Sequence, residues 1–188
     1  IWGILNECAS DTAYGRECYK TQLELIKSLD VTRPRSFSSC RFKTDICFDL
    51  VDVVSYNIYP KWYHNTPVAM YLDDLYKWVQ TTGGAGKPFL ITEVGAGAIY
   101  GYRTPAKVKW SEEYQVLALE EQLGAILSYK DCSGVYIWQF CDVRVTNDWW
   151  NTRPRTMNNK GIVDEYRRPK LSYETVKRIF RSVDTYRK

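Results

Sequence analysis

The sequence predicts an α/β fold: a partial (β/α)8 barrel made of the last five strands and their helices. Three observations lead there. Short apolar runs alternate with stretches of helical periodicity, the pattern of a parallel sheet with crossover helices. Polar residues gather where the apolar runs end, at Asn6 and Glu7, Asn57, Glu93, Gln139 and Asp142. Enzymes built on βα barrels carry their chemistry at that end of the strands. The length of 188 residues suits one domain. A closed barrel needs eight strands, so the first strands are expected upstream of Ile1.

The elements follow in order. Residues 1–6 read as a strand with a polar tip. Residues 14–29 place Leu23, Leu25, Ile26 and Leu29 close to helical spacing. Thr32-Arg33-Pro34 breaks that helix, residues 36–40 make a short strand, and a loop runs to about Asp49. Val51, Val53 and Val54 give a β-branched strand over 51–57. A helix over 68–82 stops at Gly83-Gly84. Lys87-Pro88 leads into a strand over 89–93, and a glycine-rich loop follows to about Trp110. Ser111-Glu112-Glu113 opens a helix to Tyr129, its acids matching the positive end of the helix dipole. Residues 134–138 form the last strand, a long loop reaches Gly161, and residues 170–183 close the chain with a helix.

Composition narrows the function. The 45% apolar and 26% charged content is that of an ordinary globular chain. Aromatic residues reach 15%, which suits a cleft for flat-faced ligands as well as a core. A net charge of +4 without a long basic run gives no reason to expect nucleic acid as a partner. No apolar run is long enough to span a membrane, and no membrane partner is expected. The six cysteines show no Cys-x-x-Cys pair, and His64 is the one histidine. A zinc site and a histidine-based triad are therefore not expected. The thiols are expected reduced and mostly packed as small apolar side chains, as in a bacterial cytoplasmic protein.

The chemistry concentrates in two strand ends, Ile4-Leu5-Asn6-Glu7 and Leu90-Ile91-Thr92-Glu93. Each sets a carboxylate at the tip of an apolar strand, and only the fold can bring them together. Two facing carboxylates suit glycosidic bond cleavage, in which one protonates the leaving oxygen and the other attacks the anomeric carbon. For that division of labour the acid needs a raised pKa and the nucleophile must stay ionised. The Asn6 amide is placed to hold a sugar hydroxyl.

Several further motifs fall in register with these two. They are Thr32-Arg33-Pro34, Asn57-Ile58-Tyr59 followed by Trp62-Tyr63, Trp110-Ser111-Glu112-Glu113, Trp138-Gln139-Phe140-Cys141-Asp142, Lys160-Gly161-Ile162 and Arg168-Pro169-Lys170. In order and spacing the chain resembles glycoside hydrolase family 2, the β-galactosidase and β-glucuronidase family. Residues 1–188 resemble the C-terminal portion of its catalytic TIM barrel.

The resemblance implies roles. Glu7 would be the general acid/base and Glu93 the nucleophile of a retaining double displacement. Tyr59 would sit against Glu93, and Trp138 would form part of the pocket floor. Asn158-Asn159-Lys160 resembles the Asn-x-Lys motif of members that act on glucuronides, with Asn158 and Lys160 holding the sugar carboxylate. Tyr63 is a further candidate for that end, and Arg153 or Arg155 could also face it. The implied substrate is a terminal β-D-glucuronide or another saccharide containing a uronic acid. A β-galactosidase and a non-catalytic carbohydrate-binding fragment are the alternatives. No metal or organic cofactor is implied. The intact enzyme is expected to be a homo-oligomer. His64 reads as a loop or surface residue.

Overall fold

The computed structural model of the chain describes residues 1–183. Its frame is one sheet of five parallel strands, β1 (Trp2–Asn6), β2 (Arg35–Ser39), β3 (Val54–Asn57), β4 (Phe89–Val94) and β5 (Cys132–Ile137), in the order of the sequence. Helices α1 (Ala13–Leu29), α2 (Val68–Val79) and α3 (Glu112–Ser128) follow β1, β3 and β4, and α4 (Leu171–Val183) closes the described chain. Sequential parallel neighbours joined by helices are the repeating unit of a βα barrel, and five of its strands are present.

Local chemistry explains where the helices start. Thr12 caps α1, its Oγ1 accepting the Gly15 N–H at 3.0 Å. Ser111 caps α3 by accepting the Tyr114 N–H at 3.2 Å. Both acids after it fall in the first turn, as the dipole reading expects, and one of them has a further role. Glu112 is fully buried, and its carboxylate accepts from the Gly101 and Leu171 N–H groups. It therefore ties the loop after β4 to the start of α4.

The core lies between the sheet and its helices. Phe48, Val54, Leu72, Leu75, Phe89, Ile91 and Leu123 are each fully buried in it. At about 25 cal/mol per Å² of apolar surface removed from water, side chains of this size contribute roughly 1.5–3 kcal/mol each. Strand β3 is buried along its whole length, as a central strand of a parallel sheet should be.

Three departures from the sequence reading have physical causes. Strand β3 starts at Val54 rather than Val51, because Asp52 turns outward to accept from the Arg35 backbone and guanidinium at 2.9 Å. Val51 and Val53 stay buried all the same. The long loop after β5 holds a small antiparallel hairpin, β6 (Val143–Arg144) with β7 (Met157–Asn158), and two 3-10 turns. Two-residue strands are too short to show a period. The cysteines are all free, as expected, but only Cys47 is buried, while Cys8 and Cys40 are exposed. Among the described residues no helix is long and apolar enough to cross a membrane.

Candidate active site

The C-terminal ends of the strands open into a cleft of about 470 Å³. All eight residues singled out from the sequence line it: Asn6, Glu7, Tyr59, Tyr63, Glu93, Trp138, Asn158 and Lys160. A second hollow, of about 600 Å³, lies between α3, β5 and α4, but among the described residues no acidic, basic or aromatic side chain lines it. The polar strand ends meet only in the first.

Glu7 sits one residue past β1. Its backbone is left-handed, with φ of 54°, and its N–H is held by the Ser38 carbonyl at 2.9 Å. That conformation costs a residue with a Cβ about 1–3 kcal/mol, so the surroundings must impose it. Glu93 lies within β4, in register with Asn57 of β3. Asn57 links the two strand ends. Its Nδ2 donates to Asn6 Oδ1 and to Glu7 Oε1, each at 2.9 Å, while its Oδ1 accepts from Thr92 Oγ1 at 2.8 Å. The sequence marked Asn57 as a strand tip without giving it a role.

Glu93 is set by several neighbours. Tyr59 donates its hydroxyl to Glu93 Oε2 at 2.5 Å. Burial pushes the Glu93 carboxyl above its ordinary value, and the charge of Glu7 pushes the same way. The hydrogen bonds from Tyr59 and Asn57 and the charge of Lys160 pull it back. These donors and the nearby cation favour the ionised form and oppose the cost of burial.

Lys160 lines the same cleft. It is 3% exposed, and its ammonium lies 5.1 Å from the Tyr59 ring, 5.5 Å from Trp62 and 5.1 Å from Tyr63. Three ring faces around one cation give a cation–π cage. Its Nζ donates to the Tyr63 hydroxyl at 3.1 Å. Burial lowers its pKa, against the opposing pull of Tyr63. Tyr63 itself is raised by burial, but the Arg153 guanidinium and Lys160 outweigh that and bring it below its ordinary value. Asn158 closes a tight turn, its Oδ1 accepting from the Lys160 N–H at 3.3 Å.

The structure separates the two arginines. Arg153 lines the cleft and lies 5.7 Å over the Trp149 ring. Arg155 turns away to pair with Glu165 at 2.7 Å. His64 is a half-buried loop residue that stacks on Tyr71, 4.8 Å between centroids, and forms part of the cleft wall. Trp138 stands just past β5, its N–H held by the Val94 carbonyl at 2.9 Å. Cys40, Trp149 and Tyr71 complete the lining, and sequence reasoning had not included them. Tyr71 comes from α2 and Trp149 from the long loop, outside the strand ends, while Cys40 sits one residue past β2 and reads in sequence as a small apolar residue.

Comparison with known proteins identifies the fold and the family. The family described as glycosyl hydrolases family 2, TIM barrel domain, matches residues 1–185. The fold superposes with a TM-score of 0.95 on a GH2 β-galacturonidase from Eisenbergiella tayi bound to galacturonate. That protein is 75% identical over 96% of this chain, which covers 33% of it. A β-glucuronidase from Ruminococcus gnavus, in complex with D-glucuronic acid, superposes with a TM-score of 0.81 at 25% identity, over 92% of this chain and 31% of that one. The β-glucuronidase of Rattus norvegicus is 33% identical over 184 residues, 92% of this chain, which spans 27% of that relative's length. The chain belongs to glycosyl hydrolase family 2 and corresponds to part of its TIM barrel domain.

Proposed function

We propose that the protein containing this chain is a retaining glycoside hydrolase that releases a terminal β-linked uronic acid, with β-galacturonides as its preferred substrates. The observation that carries the reading is the ammonium of Lys160. It is buried and caged by three rings in the same cleft as Glu7 and Glu93. A buried cation without a carboxylate partner is costly, and a uronic acid brings that partner with it. A neutral galactoside would not, which speaks against the β-galactosidase alternative. Both carboxylates are present and oriented by donors, which speaks against a fragment that only binds.

In this reading Glu93 attacks the anomeric carbon while Glu7 gives its proton to the departing glycosidic oxygen. The bond from that carbon to the leaving group breaks as an ester to Glu93 forms. Glu7 then takes a proton from water, whose oxygen attacks the same carbon and releases Glu93. Two inversions give net retention. Tyr59 holds Glu93 in orientation, and Asn57 does the same for Asn6 and Glu7. Lys160, with Tyr63, Asn158 and Arg153 around it, receives the sugar carboxylate.

The 75% identical relative is named a β-galacturonidase and is bound to galacturonate, and this supports the galacturonide over its C4 epimer. The glucuronide expected from the sequence remains the second reading, supported by the curated β-glucuronidase relatives. Lys160→Ala in the complete protein tests the charge reading. Loss of a buried ion partner costs about 3–5 kcal/mol. Cleavage of an aryl β-galacturonide should therefore fall roughly a hundredfold or more, and cleavage of the matching β-galactoside should change little. Equal losses on both would sink the reading. Parent rates on aryl galacturonide and aryl glucuronide decide the epimer.

A further inference from the structure

Lys170 is the one lysine with a fully buried side chain among the described ion pairs. An ammonium has three N–H donors and no acceptor. Here all three are matched: Nζ donates to the Ala98 carbonyl at 2.6 Å, to Asp142 Oδ1 at 2.8 Å and to the Asn159 carbonyl at 3.0 Å. The acceptors come from three separate segments, the loop after β4, the segment after β5, and the stretch that carries Lys160. Asp142 Oδ1 also accepts the Gly161 N–H at 2.9 Å. The pair thus grips the residue on each side of Lys160, Asn159 through Lys170 and Gly161 through Asp142.

The surrounding bonds converge on the same stretch. Gln115 of α3 donates its Nε2 to the Gly161 carbonyl at 3.0 Å and to the Ala96 carbonyl at 2.8 Å. Ser172 of α4 fixes that amide by donating to Gln115 Oε1 at 2.7 Å. The Gln139 N–H donates to the Lys160 carbonyl at 3.1 Å. Gly161 has no room for a side chain, since a Cβ there would lie 2.3 Å from Asp142 N. A buried ion pair seldom adds net stability over well-packed apolar side chains. What these contacts do supply is position.

We propose that Lys170, acting through Asp142, is a positioning residue for Lys160: it brackets the peptide on both sides and so aims the caged ammonium at the substrate carboxylate. This rests on the uronide reading above. Lys170 touches neither the cleft nor the reacting atoms. It transmits the placement of α4 to the recognition lysine, and through the Ala98 carbonyl it ties that lysine to the loop that follows the Glu93 strand.

The test uses two variants of the complete protein, Lys170→Met and the double variant Lys170→Met with Asp142→Asn. The double variant removes both charges, so it does not leave a bare buried carboxylate that could unfold the chain. Displacing a substrate-positioning group by about 1 Å can cost up to about a hundredfold. The expected result for the double variant is a tenfold to hundredfold fall in kcat/KM on an aryl β-galacturonide, carried by KM. The rate on the matching neutral galactoside should change less than threefold. A purely structural role would lower both substrates alike, and that outcome overturns the proposal. Hydrogen exchange at the Gly161 amide supplies a readout independent of turnover. It should speed up at least tenfold in the double variant, and unchanged protection overturns the bracket. A parent protein that cleaves no uronide would sink the functional reading, while the exchange result still decides whether the bracket holds.

Discussion

The hydroxyl of Tyr59 donates to Oε2 of Glu93 at 2.5 Å, a direct link between the aromatic cage and a carboxylate of the cleft. It favours the ionised form of a group that burial disfavours. Tyr59→Phe removes that donor, so the Glu93 carboxyl should rise further. With an ionised nucleophile required, kcat/KM falls as pH drops through the Glu93 value, which lies above its ordinary 4.5. A hydrogen bond to a charged group contributes about 1.5–3 kcal/mol, and about 1.36 kcal/mol is one pH unit. The acid limb of the pH profile should therefore move upward by about one to two units. A limb that stays in place would detach Tyr59 from the ionisation of Glu93.

The two glutamates should separate by chemical rescue. Glu93→Ala should abolish turnover, and azide should restore it with a product of inverted configuration. Glu7→Ala should lose roughly 10²–10⁴-fold on substrates with poor leaving groups and much less on an acidic phenol, as expected for a general acid. Proton NMR of the released sugar reads the configuration. A β-azide from Glu93→Ala would reverse the two assignments.

Asn57 holds Asn6 and Glu7 with one amide. Asn57→Ala frees both and leaves the Thr92 hydroxyl without its acceptor. Loss of orientation in the acid/base should lower kcat about 10- to 100-fold. Steady-state kinetics on an aryl uronide checks this, with KM expected to move less than kcat.

Two glycine substitutions should act in opposite directions. A Cβ on Gly95 would lie 2.3 Å from the Trp138 carbonyl oxygen, so Gly95→Ala forces apart the ends of β4 and β5. Overpacking of this kind costs about 1–3 kcal/mol. Gly124 lies inside α3, and a methyl group added there would meet nothing within 4 Å. Gly124→Ala should stabilise by about 0.5–1 kcal/mol through helix propensity. Denaturation midpoints measure both.

Much of this was legible in the sequence, for identifiable reasons. The apolar run from Phe89 to Val94 announces its strand because a central parallel strand is covered on both faces, and the run from Trp2 to Asn6 keeps the same apolar pattern although β1 is largely exposed in this chain. Glu7 and Glu93 are visible because the motifs around them fall in register; two glutamates at strand tips would by themselves pass for ordinary rim residues. What stayed hidden depends on contacts distant in the chain. Asn57 looks like any polar strand end until its amide is seen to join two carboxylate strands. Arg153 and Arg155 differ by two positions, and only the 3-10 turns around Pro154 decide which faces the cleft. The hairpin of β6 and β7 is set by its pairing, and two residues per strand carry no periodic signal. The role of Glu112 was hidden because the acid reads equally well as dipole compensation, and its burial is a property of the loop and helix that fold over it.

The two carboxylates and the caged lysine lie on one continuous stretch of chain, from Asn6 to Lys160, and the carboxylates stand at the ends of strands of one sheet. This contiguity bears on inheritance. A recombination event that exchanged the stretch between two family members would carry both glutamates and the caged lysine together, as one heritable block. Chimeras joined outside it should take their sugar class from the donor of the block, and breakpoints between Glu93 and Lys160 should yield hybrids poorly matched to either parental sugar.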